Sequence, residues 1–162
     1  GGFPLAALGA SAEIMQHFDK SIVGGDKWLM QLGTLSGNPI AAAAGLKTME
    51  ILRRDGSYDH LRKVGRTLQD MQSSALDAAG IPHKICGDET LFDILFTTSQ
   101  CREYRSAKHD DPARNATYNA TLRQHGIFKS PGKLYPSLAI TKEDLEQTKA
   151  AVGHAVRSIS MR

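Results

Sequence analysis

The residues best suited to chemistry lie in Gly33-Thr34-Leu35-Ser36-Gly37-Asn38-Pro39-Ile40, which runs into Ala41-Ala42-Ala43-Ala44-Gly45. A glycine-bounded loop here feeds a helix. Asn38 is placed as an N-cap whose side chain accepts the first free backbone N–H groups. Pro39, at the first helical position, has its φ preset and no N–H to orphan. Ahead of the cap, Gly33 and the hydroxyl of Thr34 sit near the positive end of the helix dipole, where a phosphate is favoured. A capped helix after a plain turn has the same pattern, since capping occurs wherever helices begin. The run is not a Walker A loop, because no Gly-Lys-Ser/Thr follows. The alanines and Gly45 leave one helix face with so little bulk that another backbone can approach it.

The remaining candidates are thinner. His83-x-x-Cys86 is either half of a metal site or two structural residues on a strand. His17, His60, His109, His125 and His154 add no ligand spacing, so no metal is expected. Lys20, Lys27, Lys47, Lys63 and Lys84 stand among polar neighbours, where a solvated amine has too high a pKa to be a good nucleophile. Lys133 is set apart by its place in Lys129-Ser130-Pro131-Gly132-Lys133-Leu134-Tyr135. No Gly-x-Ser-x-Gly elbow supports a serine hydrolase.

The elements that must hold these residues follow from caps and periodicity. Phe3–Leu8 reads as a short buried strand, Ser11 caps a short helix over Ala12–His17, and Asp19–Met30 reads as a loop carrying the lone Trp28, either an interface anchor or a local packing residue. A helix is expected from Pro39 to Arg54, with Leu46, Met49 and Leu52 at spacing three, ended by Gly56. A second runs from Tyr58 to Ala79 with Leu61, Val64, Leu68, Met71 and Ala75 on one face, ended by Gly80 and Pro82. Strands follow over His83–Cys86 and Leu91–Thr97 around the Gly87-Asp88 turn. Ser99–Pro112 reads as an exposed loop, Ala113–His125 as a helix and Leu134–Ile140 as a last strand. Thr141 and Asp144 form a capping-box arrangement at the start of a closing helix that keeps Leu145, Thr148, Val152, Ala155 and Ile159 in helical register. The order points to an α+β fold with helices on one face of a small, mostly antiparallel sheet.

At 162 residues, 41% apolar and 23% charged, the chain has the composition of a soluble globular protein with a core. A net charge of +3 from scattered basic residues, with no alternation of cations and stacking aromatics, gives no reason to propose nucleic acid. No apolar run approaches the roughly 20 residues of a membrane span, and no secretory signal is visible. Cys86 and Cys101 pair only if the fold brings them together; reduced thiols in the cytoplasm are the expectation.

The run Gly1-Gly2-Phe3-Pro4-Leu5-Ala6-Ala7-Leu8-Gly9, followed at this distance by Gly33-Thr34-Leu35-Ser36-Gly37-Asn38-Pro39 and later by Thr141-Lys142-Glu143-Asp144, resembles the class III pyridoxal-phosphate-dependent aminotransferases. The resemblance is closest to the glutamate-1-semialdehyde aminomutase branch. It implies the C-terminal part of a fold-type-I transferase of α/β and α+β character, with residues 1–45 ending the large cofactor-binding domain and 46–162 forming a small C-terminal domain. It implies pyridoxal 5'-phosphate as cofactor, with Gly33 and Thr34 as cofactor-binding residues that serve the phosphate of the neighbouring subunit. The implied partners are therefore a second copy in a homodimer with shared active sites, and a small-molecule amino donor and keto acceptor. The Schiff-base lysine of the family falls upstream of Gly1, so no catalytic residue is expected within the chain, which is read as the C-terminal portion of a larger polypeptide.

The implied activity is transfer of an amino group between an amino acid or amine and a keto acid or aldehyde. The alternatives are an aminomutase that returns the amine to a neighbouring carbon, and, from another class, a non-catalytic interaction domain. Some aminomutases carry a glutamate near the Lys129–Tyr135 segment, whereas here none occurs between Phe128 and Lys142, and Ile140 stands where many relatives have His.

Overall fold

The computed structural model describes residues 2–160, so Gly1 of the opening glycine run lies outside the described residues. Contacts divide the chain into two compact units, one ending at Asp55 and one beginning at Gly56.

In the first unit, Ser11 precedes helix α1 (Ala12–Met15), which tightens into a 3-10 turn over Gln16–Phe18. Asp19 caps a one-turn helix, α2 (Lys20–Val23), by accepting from the Ser21 amide at 2.9 Å. This turn lies inside the stretch expected to be a loop. Helix α3 (Pro39–Leu52) starts where Asn38 and Pro39 place it, and Asn38 Oδ1 accepts from the amides of Ile40 and Ala41, each at 3.0 Å. Phe3–Leu8 is not a strand. A strand is stable only against a neighbour, and none among the described residues pairs with it. Among this unit's described apolar residues only Ala41 is fully buried, while Leu46 is 74% and Met49 48% exposed. The spacing of Leu46 and Met49 is helical, but both side chains are exposed.

The second unit has its own interior. Helix α4 (Ser57–Ala78) is followed by strands β1 (Lys84–Asp88) and β2 (Leu91–Leu95), then by α5 (Tyr104–Ala107), α6 (Pro112–Gln124) and α7 (Lys142–Ser160). The strands form an antiparallel hairpin with Cys86 opposite Asp93 and Gly87 opposite Phe92. Alternation puts Ile85, Phe92 and Ile94 on one face of the hairpin and Cys86 and Asp93 on the other. Three helices cover the apolar face. Leu76 of α4, Tyr118 and Leu122 of α6, and Val152, Ala155 and Ile159 of α7 pack with Ile94 and Phe96. Val64 and Leu68 of α4 pack with Phe92 and Leu134 in a second cluster. The result is the expected α+β arrangement.

Two expectations need correction. Leu134–Ile140 is not a full strand: Leu134 exchanges backbone hydrogen bonds with Phe92 at 2.7 and 3.3 Å, and pairing goes no further. Pro136 has no N–H with which to extend the ladder. Within the expected loop Ser99–Pro112, Glu103 and Ser106 form a reciprocal capping box that starts α5.

The contact between α4 and the β1–β2 turn depends on Gly65. A Cβ on Gly65 would collide with the carbonyl oxygen of Glu89, so the bare backbone of α4 lets the β1–β2 turn lie directly on it. Arg62 donates to Asp88 at 2.7 Å and to Glu89 at 2.8 Å, fastening the same turn.

Candidate functional site

The loop before α3 is built from two consecutive turns. The Ser36 amide donates to Gly33 O at 3.0 Å and the Asn38 amide to Leu35 O at 3.1 Å. Gly37, between them, has φ 71°, a conformation that a side chain would disfavour. A Cβ on Gly33 would approach Ser36 Oγ to 2.7 Å, so Gly33 lets the loop close tightly.

This folding uses some donors and leaves others open. Ile40 and Ala41 give their amides to the Asn38 side chain, and Ala42 gives its amide to Asn38 O, so the first turn of α3 offers no free N–H to a ligand. Among the described residues, none accepts from the Thr34 hydroxyl or from the amides of Thr34 and Leu35, and both residues are exposed. Gly33, Thr34 and Leu35 line a cleft of about 670 Å³ with Pro4, Leu5 and Gln31. The cleft wall carries backbone dipoles and the hydroxyls of Thr34 and Ser36 but, among the described residues, no charged side chain. Such a set holds an anion by hydrogen bonds, with the helix dipole behind it. Leu5 also presses its side chain onto Gly45, so the low-bulk face of α3 receives a side chain.

Trp28 is engaged locally. Its indole N–H donates to Phe18 O at 3.2 Å, and Lys20 Nζ lies 5.4 Å from the ring centroid. His83 is a structural residue. Ile81 O, 3.0 Å from Nδ1, can only accept, so Nδ1 carries a proton, and Nε2 is hydrogen-bonded with the Ser73 hydroxyl at 2.7 Å. Both ring nitrogens of His83 are engaged in hydrogen bonds, and among the described residues no group of three metal-ligating side chains occurs.

In the Lys129–Tyr135 segment the structure singles out Lys129 rather than Lys133. Lys129 Nζ is 3.5 Å from Asp93 Oδ1 and donates to the carbonyls of Ser130 at 2.9 Å and Pro131 at 3.2 Å. The Lys129 and Asp93 side chains are only 7% and 14% exposed. Burial pushes the Asp93 carboxyl up and the Lys129 amine down, each partly offset by the charge of the other. At 3.5 Å this is an ion pair rather than a well-formed hydrogen bond, consistent with Asp93 Oδ1 lacking a hydrogen-bond donor. The segment walls a cleft of about 550 Å³ lined by Phe128, Leu134, Tyr135 and Ile140. Nothing in the sequence marks Lys129 as the buried lysine, because its partner lies on β2.

Among the described residues no helix is long and apolar enough to cross a membrane.

Comparison with known proteins gives a consistent family assignment. The family model described as aminotransferase class-III matches residues 1–156. An omega-transaminase from Sphaerobacter thermophilus is similar over 93% of this chain and 34% of its own, with 27% identity and a TM-score of 0.73. A β-phenylalanine aminotransferase from Variovorax paradoxus is 24% identical over 90% of this chain and 33% of its own, with a TM-score of 0.68. A transaminase solved with PLP bound shares the fold at 20% identity over 91% of this chain and 33% of its own, with a TM-score of 0.68. The chain thus spans about a third of the length of the solved structures it matches.

Proposed function

The chain belongs to the class III aminotransferase family, and on that premise we propose that it is the C-terminal portion of a pyridoxal-phosphate-dependent enzyme that moves an amino group between an amino acid or amine and a keto acid or aldehyde. The observation that carries this reading is the set of unengaged donors at Thr34 and Leu35, facing a cleft beside the capped start of α3. A phosphate dianion accepts several hydrogen bonds at once, each strengthened by its charge. The donors fit such a group, and because the cleft wall carries no cation, the countercharge has to come from elsewhere. Bound pyridoxal phosphate supplies an electron sink that acidifies a substrate Cα–H. This chain's part is to hold and orient the phosphate through Thr34 Oγ1 and the neighbouring amides, with Gly33 keeping the loop tight.

On the same reading the donors of Thr34 serve the phosphate of a neighbouring subunit, making the complete enzyme a homodimer with shared active sites. Residues 1–45 end the large domain and 46–162 form the small one. A division into two parts is supported by a contrast in burial, which falls between Asp55 and Gly56, beyond the end of α3 and ten residues after the boundary that the resemblance implies: the unit from Gly56 onward packs its own interior, whereas Ala41 is the one fully buried apolar residue among those described before it. That contrast also argues against a free-standing interaction domain. The lack of a glutamate between Phe128 and Lys142 favours transfer to a second molecule over an aminomutase.

The test is Thr34→Ala in the complete protein. A hydrogen bond to a charged group contributes about 1.5–3 kcal/mol, so the cofactor dissociation constant should rise by about one to two decades. The helix should be spared, because Asn38 is the cap, and Thr34→Ser should retain most of the affinity. Normal cofactor binding by Thr34→Ala with reduced thermal stability would show the loop to be a structural turn.

A further inference from the structure

In the loop before α3, the fold places the Ser36 hydroxyl but leaves its proton unspent. The Ser36 amide closes the turn on Gly33 O at 3.0 Å, which brings the side chain back over the Gly33 backbone. A Cβ built on Gly33 would lie 2.7 Å from Ser36 Oγ but 3.8 Å from Ser36 Cβ, so the hydroxyl alone fills the space that a side chain at position 33 would need. Unlike Gly37, Gly33 does not have a positive φ, and its backbone conformation is open to any residue. What glycine gives at position 33 is room for one oxygen atom.

That oxygen is also held from a second side. Gln31 Nε2 donates to Ser36 Oγ at 3.4 Å, a long hydrogen bond that occupies a lone pair and leaves the hydroxyl proton free to donate. Among the described residues nothing accepts that proton. Gln31, Gly33 and Ser36 line the same cleft of about 670 Å³ as Thr34 and Leu35. The helix start behind them adds no donor, because Asn38 takes the amides of Ile40 and Ala41.

We propose, resting on the phosphate reading of this cleft, that the Ser36 hydroxyl is a second side-chain donor to the anion held by Thr34, with Gln31 positioning it and Gly33 making room for it. A phosphate group presents three strong acceptor oxygens, more than the Thr34 hydroxyl and the neighbouring amides saturate. A hydroxyl that accepts from one neighbour donates more strongly to the next, so Gln31 strengthens the contact without touching the anion. The Ser36 hydroxyl is the rotatable end of a short side chain. A methyl group at position 33 therefore turns it away and leaves the loop closed.

The experiment titrates the complete protein, freed of cofactor, with pyridoxamine 5'-phosphate, which forms no imine with a lysine and so reports non-covalent holding alone. Phosphorus NMR of the bound phosphate and thermal unfolding are recorded alongside. Ser36→Ala should raise the dissociation constant about tenfold or more and shift the phosphorus resonance, with the melting temperature unchanged. Ser36→Thr, which keeps a hydroxyl, should retain most of the affinity. Gly33→Ala and Gln31→Leu should each weaken binding in the parent and have no further effect in a Ser36→Ala background, since both act through the same oxygen. Normal affinity in Ser36→Ala, an unmoved phosphorus resonance, or Gly33→Ala and Gln31→Leu losses that add to that of Ser36→Ala would each overturn the proposal. Thr34→Ala separates the two levels. Weak binding there with normal binding in Ser36→Ala removes the Ser36 role alone, whereas normal binding in both removes the phosphate reading as well.

Discussion

Replacing Tyr118 with Phe removes one oxygen from the centre of the second unit and tests how its helices are joined. Tyr118 and Gln72 are each 1% exposed, and the phenol donates to Gln72 Oε1 at 3.1 Å. Gln72 Nε2 donates in turn to Leu68 O at 3.0 Å, which fixes which end of the amide faces the tyrosine. Phe in place of Tyr keeps the ring and its edge contact with Phe96, at 5.4 Å between centroids, but leaves Gln72 Oε1 buried without a donor. An orphaned buried acceptor costs about 1–3 kcal/mol, whereas removing both partners in favour of apolar groups is close to neutral. Tyr118→Phe and Gln72→Leu should therefore each destabilise by about 1–3 kcal/mol, and the double variant by much less than their sum. Urea unfolding followed by far-ultraviolet circular dichroism is the assay, because Trp28 reports on the other unit. Additive losses in the double variant, or a Tyr118→Phe protein as stable as the parent, would refute the argument.

Two further outcomes follow from charges in the second unit. Lys129→Met strips the buried Asp93 of its counter-ion and should cost about 3–5 kcal/mol near neutral pH. Because the Asp93 carboxyl is pushed up by burial, the folded variant binds more protons than the unfolded chain, so it should lose stability as pH rises from about 4. Urea midpoints that do not change with pH would contradict this. The Asp88 carboxyl is held down to about 2, first by the Thr90 amide and then by Arg62. A depressed pKa gives stability that is present above the ordinary carboxyl value and lost as pH falls toward about 2. In an NMR titration Arg62→Met should raise that midpoint only partway, and a full return to the ordinary value would show that the Thr90 amide plays no part.

Helix limits are the most legible part of this chain, because their causes are local. Asn38 with Pro39, Thr141 with Asp144, and the positive-φ glycines Gly80 and Gly126 mark ends that the structure reproduces within a residue or two. The candidate loop is legible in outline for the same reason. Its pattern does not reveal that Asn38 consumes the first helical amides, so that only the donors ahead of the cap stay open. Extended segments are less legible. Whether Phe3–Leu8 forms a strand, and whether pairing continues beyond Leu134, depends on neighbours and free N–H groups rather than on apolar content. The contacts of Gln72 with Tyr118 and of Asp93 with Lys129 join residues far apart along the chain, and no local pattern records them.

The bare backbone at Gly65 has a mechanical consequence. The β1–β2 turn rests on α4 there with no side chain between, and β2 carries that position through Phe92 to its backbone rung with Leu134. Leu134 is part of the wall of the cleft bounded by Lys129 and Tyr135. Position 65 is thus the fulcrum of a lever whose far arm is that wall. A single methyl group there would lift the turn and tilt the wall without touching any residue that lines the cleft.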